Sequence, residues 1–203
     1  MPNRRIALKT IAASAGTLML TLALTGCDPF KSQFRSLDIS GAAYGRDLRL
    51  PDADGKSRQL ADFRGKVVAV FFGYTMCPDV CPTTLNNWAQ VKELLGADGA
   101  RLQVLFVSVD PARDGPIIKQ YVTHFDPGFI GLVPASAEQL AAAARDFNVY
   151  YRKVPGPTPT SYSMDHTATN YIYDPQGRLR LATRPGESPQ DMAEDVRRLL
   201  NGA

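Results

Sequence analysis

Six consecutive apolar residues, Val67-Val68-Ala69-Val70-Phe71-Phe72, constrain this chain more than any other stretch. Five of the six are β-branched or aromatic, and no polar residue alternates with them. Such a run predicts a strand buried on both faces rather than one with a wet side. It leads directly into Gly73-Tyr74-Thr75-Met76-Cys77-Pro78-Asp79-Val80-Cys81-Pro82, and then into apolar residues at 85, 88, 91, 94 and 95, which is helical spacing. Two cysteines therefore lie between a core strand and a helix. Pro82 lacks an N–H and is tolerated only in a first helical turn, so the helix begins at about Cys81 or Pro82.

The rest of the chain repeats the strand-then-helix theme. Leu48 to Leu60 brackets the turn cluster Pro51-Asp52-Ala53-Asp54-Gly55, which predicts a hairpin. Leu102 to Val109 reads as a second strand, and Ile117–Phe125 and Glu138–Phe147 read as helices. Tyr171-Ile172-Tyr173 and Leu179-Arg180-Leu181 flank Asp174-Pro175-Gln176-Gly177, a second hairpin signature. Ser188-Pro189 opens the last helix, with Ser as N-cap and Pro at the first helical position. Alternating strands and helices predict an α/β fold with a parallel core, and the late hairpin adds antiparallel strands. The element order is that of a thioredoxin-like fold with inserted hairpins. Residues 28–42 are polar and aperiodic and read as a tether. Pro155-Gly156-Pro157-Thr158-Pro159-Thr160 reads as a stiff loop just ahead of His166.

Charge is unevenly placed. Arg4, Arg5 and Lys9 are the only charges among the first 26 residues; taking these three from 23 basic residues leaves 20, equal to the 20 acidic ones. The body is thus formally neutral, which argues against nucleic acid as a partner. The basic start, the apolar run Thr10–Leu24 and the sequence Leu24-Thr25-Gly26-Cys27 read as a secretory signal of lipoprotein type. Residues 1–26 are then a signal peptide, Cys27 is the lipidated first mature residue, 27–42 is a lipid-anchored tether and 43–203 is the functional domain. Arg4-Arg5 leaves Sec and twin-arginine export both open. An uncleaved anchor is the other reading; either one places the body outside the cytoplasm at a membrane.

With Cys27 assigned to lipid, Cys77 and Cys81 remain for chemistry. At a helix N-terminus Cys81 is expected to favour the thiolate. Two close sulfurs can form a disulfide or hold a soft cation, and Cu(I) is the cation that prefers soft sulfur. A third ligand would secure such an ion, and the chain offers His124 and His166. His124 falls in a helical pattern and reads as solvent-facing. His166 lies after a loop in Met164-Asp165-His166-Thr167, where either a ligand or a structural imidazole fits.

Asp62-Phe63-Arg64-Gly65-Lys66 through Thr83-Thr84-Leu85, then Val109-Asp110-Pro111-Ala112-Arg113-Asp114, then Asp165-His166-Thr167 with Tyr171-Ile172-Tyr173-Asp174 and Gly177, resemble the Sco/SenC family of copper chaperones. The resemblance spans roughly residues 43–200. It implies a thioredoxin-like domain facing the periplasm or mitochondrial intermembrane space. It also implies one copper, as Cu(I) or Cu(II), on Cys77, Cys81 and His166. The function it implies is help in building the binuclear copper centre of cytochrome c oxidase subunit II, with reduction of that centre's cysteines as an added role. A periplasmic copper donor and a thioredoxin-like reductant are the implied partners, and the periplasmic side of the inner membrane is the implied location. Met76 stands where the family often has histidine.

Several residues have plainer readings. Met76 and Met164 are expected to pack, although either thioether is a soft donor. Asp79 reads as a cap, Asp110 as a turn or an orienting group for the cysteine loop, and Asp165 as a support for His166. Tyr74 and Thr75 read as structural, and Trp88 as core. A thiol–disulfide oxidoreductase working without obligatory metal is the competing function. A peroxide-reducing enzyme is a third.

Overall fold

The computed structural model describes residues 34–183 and 186–203. The expected signal peptide, the lipidation at Cys27 and most of the tether lie outside the described residues.

The described body contains, besides two short 3-10 turns at Leu60–Phe63 and Gly96–Arg101, ten strands and five α-helices in the order β1 (Leu37–Asp38), β2 (Arg49–Pro51), β3 (Ser57–Gln59), β4 (Val67–Gly73), α1 (Val80–Leu95), β5 (Leu102–Ser108), α2 (Pro111–Asp114), α3 (Ile118–Phe125), β6 (Ile130–Leu132), α4 (Ala137–Asp146), β7 (Tyr151–Pro155), β8 (Tyr162–His166), β9 (Asn170–Tyr173), β10 (Leu179–Ala182) and α5 (Pro189–Leu200). Six strands form one mixed sheet in the order β1-β10-β9-β4-β5-β6. β4, β5 and β6 run parallel, whereas β9 is antiparallel to β4, β10 to β9 and β1 to β10. This is the mixed α/β, thioredoxin-like architecture expected from the element order.

The apolar run of β4 lies at the sheet's centre, and every residue from Val67 to Gly73 is buried. β5 is buried along its whole length as well, because helices cover both strands. α1 turns Leu85, Trp88 and Val91 inward and packs against α5, whose Met192, Val196 and Leu199 meet it. Trp88 is fully buried, and its indole N–H donates to Asn170 Oδ1 at 2.8 Å, so the core reading holds. α5 is capped as expected, with Ser188 Oγ accepting the Asp191 N–H at 3.1 Å.

Two hairpins stand outside this sheet, β2–β3 and β7–β8. The first is the one predicted over 48–60. The second occupies 151–166, where only a proline-rich loop and a histidine were expected, and the loop is its turn. Residues 34–42, read from their polarity as tether, belong to the body instead. Phe34 and Ser36 are buried, and β1 pairs with β10. The buried carboxylate of Asp195 on α5 accepts the backbone N–H groups of Arg35 and Ser36 at 2.7–3.0 Å. A polar side chain in the last helix thus fixes this segment, and no local pattern announces that. Among the described residues no helix is long and apolar enough to cross a membrane.

Candidate metal centre

β4 ends at Gly73, and the chain turns through Tyr74, Thr75 and Met76 before α1 starts at Val80. The turn closes with the Cys77 N–H donating to the Tyr74 carbonyl at 3.3 Å. Buried Asp114 holds it from beneath: one carboxylate oxygen accepts from Thr75 N–H at 2.9 Å and Thr75 Oγ1 at 2.6 Å. The other oxygen accepts from Ser108 Oγ at the end of β5, at 2.5 Å. Thr75 is therefore structural, as expected, but through Asp114, which the sequence showed only as the end of the Asp110–Asp114 motif. Burial raises the Asp114 carboxyl above the usual range, against the pull of these hydrogen bonds.

Cys81 lies in the first turn of α1 and is fully buried. Gly73 makes room for it: a Cβ there would sit 2.8 Å from Cys81 Sγ and 2.7 Å from the Phe106 ring. Burial pushes the Cys81 thiol well above the ordinary cysteine range. Desolvation outweighs the backbone hydrogen bond from Tyr74, so the metal-free sulfur favours the neutral thiol where position at a helix terminus alone predicts a thiolate. The first-turn N–H of Cys81 itself donates to Cys77 Sγ at 3.5 Å, so Cys77 receives that donor. Cys77 is half-buried, and both cysteines are free thiols.

His166, the last residue of β8, comes to these sulfurs from 85 positions further along the chain. Its Nε2 lies 3.6 Å from Cys81 Sγ. Its Nδ1 lies 3.0 Å from the Thr167 carbonyl. A carbonyl only accepts, so Nδ1 carries the proton and Nε2 presents its lone pair to the sulfurs. Burial holds the imidazole below the ordinary histidine range and favours this neutral form. Phe71 and Tyr74 meet the ring edge-on, with centroids 6.1 and 5.8 Å away. The ligand atoms of Cys77, Cys81 and His166 all lie within 4.8 Å of one another. Two sulfurs and one imidazole nitrogen make a soft, three-donor set suited to copper, and one short of the four that a structural zinc site takes.

The other candidates fall elsewhere. His124 is exposed on α3 and takes no part in the cluster. Asp165 faces away from the imidazole and pairs with Arg152 at 2.9 Å, because strand alternation sends it to the opposite face of β8. The hydrogen bond that orients the ring goes to the Thr167 carbonyl, a backbone group without a sequence signature, and Asp165 acts on the ring only through its charge. Asp79 holds the N-cap position of α1 but makes no side-chain cap; its Oδ1 accepts from Thr83 Oγ1 at 3.4 Å. Asp110 is buried and accepts from Tyr162 Oη at 3.1 Å and from the Arg113 guanidinium. Met164 packs against the core, whereas Met76, expected to pack, is 60% exposed.

Arg113 and Tyr162, which sequence reasoning did not single out, dock the histidine hairpin onto the scaffold. The Arg113 guanidinium lies 3.5 Å from the centroid of the Tyr162 ring and donates to the Tyr162 carbonyl at 2.9 Å. Lys153 Nζ lies 3.6 Å from the same ring centroid.

The sequence profile of the SCO1/SenC family matches residues 38–201. A SCO2-like protein of Rickettsia conorii is 31% identical over 191 residues, covering 93% of this chain and 92% of that protein. The mitochondrial SCO2 homolog of Mus musculus is 36% identical over 175 residues, covering 84% of this chain and 68% of the mouse protein. Bradyrhizobium japonicum ScoI, solved with copper bound, is 37% identical with a TM-score of 0.70, covering 77% of this chain and 99% of its own. The match takes in the β4–α1 cysteine loop, the Asp110–Asp114 turn and the histidine hairpin together, and this chain belongs to the SCO1/SenC family.

Proposed function

We propose that this chain is a copper-binding metallochaperone of cytochrome c oxidase assembly, holding one copper on Cys77, Cys81 and His166. The convergence of two sulfurs and a correctly protonated imidazole within 4.8 Å carries the reading. Half-buried Cys77 leaves the ion open to an incoming ligand, and fully buried Cys81, with half-buried His166 as the third donor, retains it until one arrives. The acceptor is the binuclear copper centre of oxidase subunit II, and the donor is a periplasmic copper carrier. The chain acts from the periplasmic side of the inner membrane, tethered by lipid on Cys27. Copper-bound ScoI of Bradyrhizobium japonicum supports the cargo.

Copper titration of the purified protein tests this. Wild type binds one copper per chain, and Cys77→Ser and His166→Ala each weaken binding by about a hundredfold or more, the scale expected when a ligand is removed. Unchanged binding in both variants overturns the proposal.

A second reading rests on the same pair of thiols. Half-exposed Cys77 is placed to attack a disulfide in the partner, and Cys81, whose N–H touches Cys77 Sγ, is placed to resolve the mixed disulfide. A thioredoxin-like reductant would then return the pair to the dithiol. Metal-free protein that reduces oxidised subunit II with His166→Ala intact and Cys77→Ser inactive would place electron transfer ahead of metal delivery.

A further inference from the structure

Met76 is the most exposed large apolar side chain among the described residues, at 60%. With most of its surface in water, this unbranched thioether gains little burial free energy at this position. Its place in the chain is specific: it precedes Cys77, with consecutive Cα atoms about 3.8 Å apart. Cys81 is fully buried beside Gly73, and the Phe71 and Tyr74 rings meet the imidazole edge-on. Cys77 and His166 are half-buried, and Met76, Pro78, Asp79 and Val80 around Cys77 are exposed. The sulfurs therefore face solvent on the side of Cys77 and Met76. Met164, on the same hairpin as His166, offers a contrast, since it is packed against the core and unavailable.

We propose that Met76 is an exchange ligand: its thioether replaces the His166 imidazole on Cu(I) as the ion leaves the buried end of the centre. This rests on the copper reading above. The exchange is balanced. One neutral donor lone pair, on sulfur, forms a bond to copper, and another, on Nε2, releases it. The metal stays Cu(I), both thiolates stay bound, and the imidazole leaves neutral with its proton on Nδ1. A soft thioether suits Cu(I) and is a weaker ligand than a thiolate, so the ion is presented without being trapped. The long, flexible methionine side chain can follow the ion outward, which a branched side chain could not.

Met76→Leu removes the sulfur and keeps the apolar bulk. Loaded with Cu(I), this variant binds one ion with an affinity within about threefold of wild type, yet gives it up to excess bicinchoninate at least about tenfold more slowly. A small chelator needs no protein docking surface, so a purely adhesive role for Met76 leaves the rate unchanged. In a His166→Ala background, Ag(I), a redox-inert stand-in for Cu(I), shifts the Met76 methyl resonance and leaves that of Met164 in place. Equal release rates for wild type and Met76→Leu overturn the proposal, and so does an unmoved Met76 methyl. Failure of the copper reading itself shows separately, as wild type that takes up no copper in the titration.

Discussion

β2–β3 and β7–β8 are both two-stranded antiparallel hairpins set outside the main sheet, yet they are held in opposite ways. β2–β3 is built in. Leu48 and Leu50 are both 1% exposed, the Val133 N–H donates to the Pro51 carbonyl at 2.9 Å, and Asp52 bridges to Leu132 at the sheet's edge. β7–β8 contains no fully buried residue. It is held by side chains: Tyr162 against Asp110 and Arg113, the His166 ring against Phe71 and Tyr74, and the partly buried Tyr151 and Met164 against the core. Hydrophobic burial scales with area and makes the first hairpin part of the cooperative core. Polar and ring contacts, each worth about 1 kcal/mol, together with only partial apolar burial, make the second an arm that can open while the core stays folded. The metal centre joins the two regimes, because its sulfurs sit on core elements and its nitrogen on the arm.

The largest effect that separates the hairpins is on global stability. Leu50→Ala empties a fully enclosed site and lowers the free energy of unfolding by about 3 kcal/mol, read by urea denaturation. Tyr162→Leu should behave differently. It removes the hydroxyl bond to Asp110 and the ring beneath Arg113 and Lys153, but leaves the Arg113 bond to the backbone carbonyl. Together these losses amount to about 1.4 kcal/mol, or tenfold, in the docking of the arm. Copper affinity falls by about that factor, and amide exchange quickens across 151–166 but not across β4 and β5. A loss of global stability as large as that of Leu50→Ala would erase the distinction between the hairpins.

This difference also explains what the sequence disclosed. β4, the cysteine loop, α1 and the turn Pro51–Gly55 are written in contiguous residues, as an apolar run, a proline in a first turn and a turn cluster. They were legible because burial acts on neighbouring positions at a fixed period. Tyr151-Arg152-Lys153-Val154 has no such alternation, since neither face of β7 is deeply buried, and so the hairpin passed unseen. β6 has three residues, too few to set a period. His166 could be singled out by residue type, and its assignment to copper needed the resemblance to a family. Its geometry could not be read, because it depends on the Thr167 carbonyl and on Arg113, which lies 49 positions before Tyr162. The thiolate expected at Cys81 failed for a related reason. A helix terminus is local and visible, whereas the burial that raises the Cys81 thiol arises only from the assembled tertiary structure.

The smallest effect concerns acid, and it separates the hairpins by their carboxylates. Asp52 in the first hairpin is buried, and its Oδ1 accepts the N–H groups of Asp54 and Lys56 at 2.9 and 3.0 Å. Its Oδ2 accepts from Arg58 Nε at 2.8 Å. Burial works to raise this carboxyl, but the bonds from Arg58 and the two backbone donors outweigh it and hold it below the ordinary value of 3.8. A carboxyl lowered on folding contributes stability that is fully present above the unfolded value and is lost as pH falls through the folded one. Asp52→Asn should therefore cost about 1 kcal/mol near neutral pH, and the gap from wild type should close as pH drops below about 4. Asp165, the arm's carboxylate, is half-exposed and pairs with Arg152 across β7–β8; exposed ion pairs contribute little, so Asp165→Asn leaves the urea stability at pH 7 within about 0.5 kcal/mol of wild type. Urea denaturation from pH 7 to pH 3 follows Asp52→Asn, and a single series at pH 7 follows Asp165→Asn. A loss at Asp165 equal to that at Asp52 at pH 7 would mean that the arm is as firmly built into the folded body as the first hairpin.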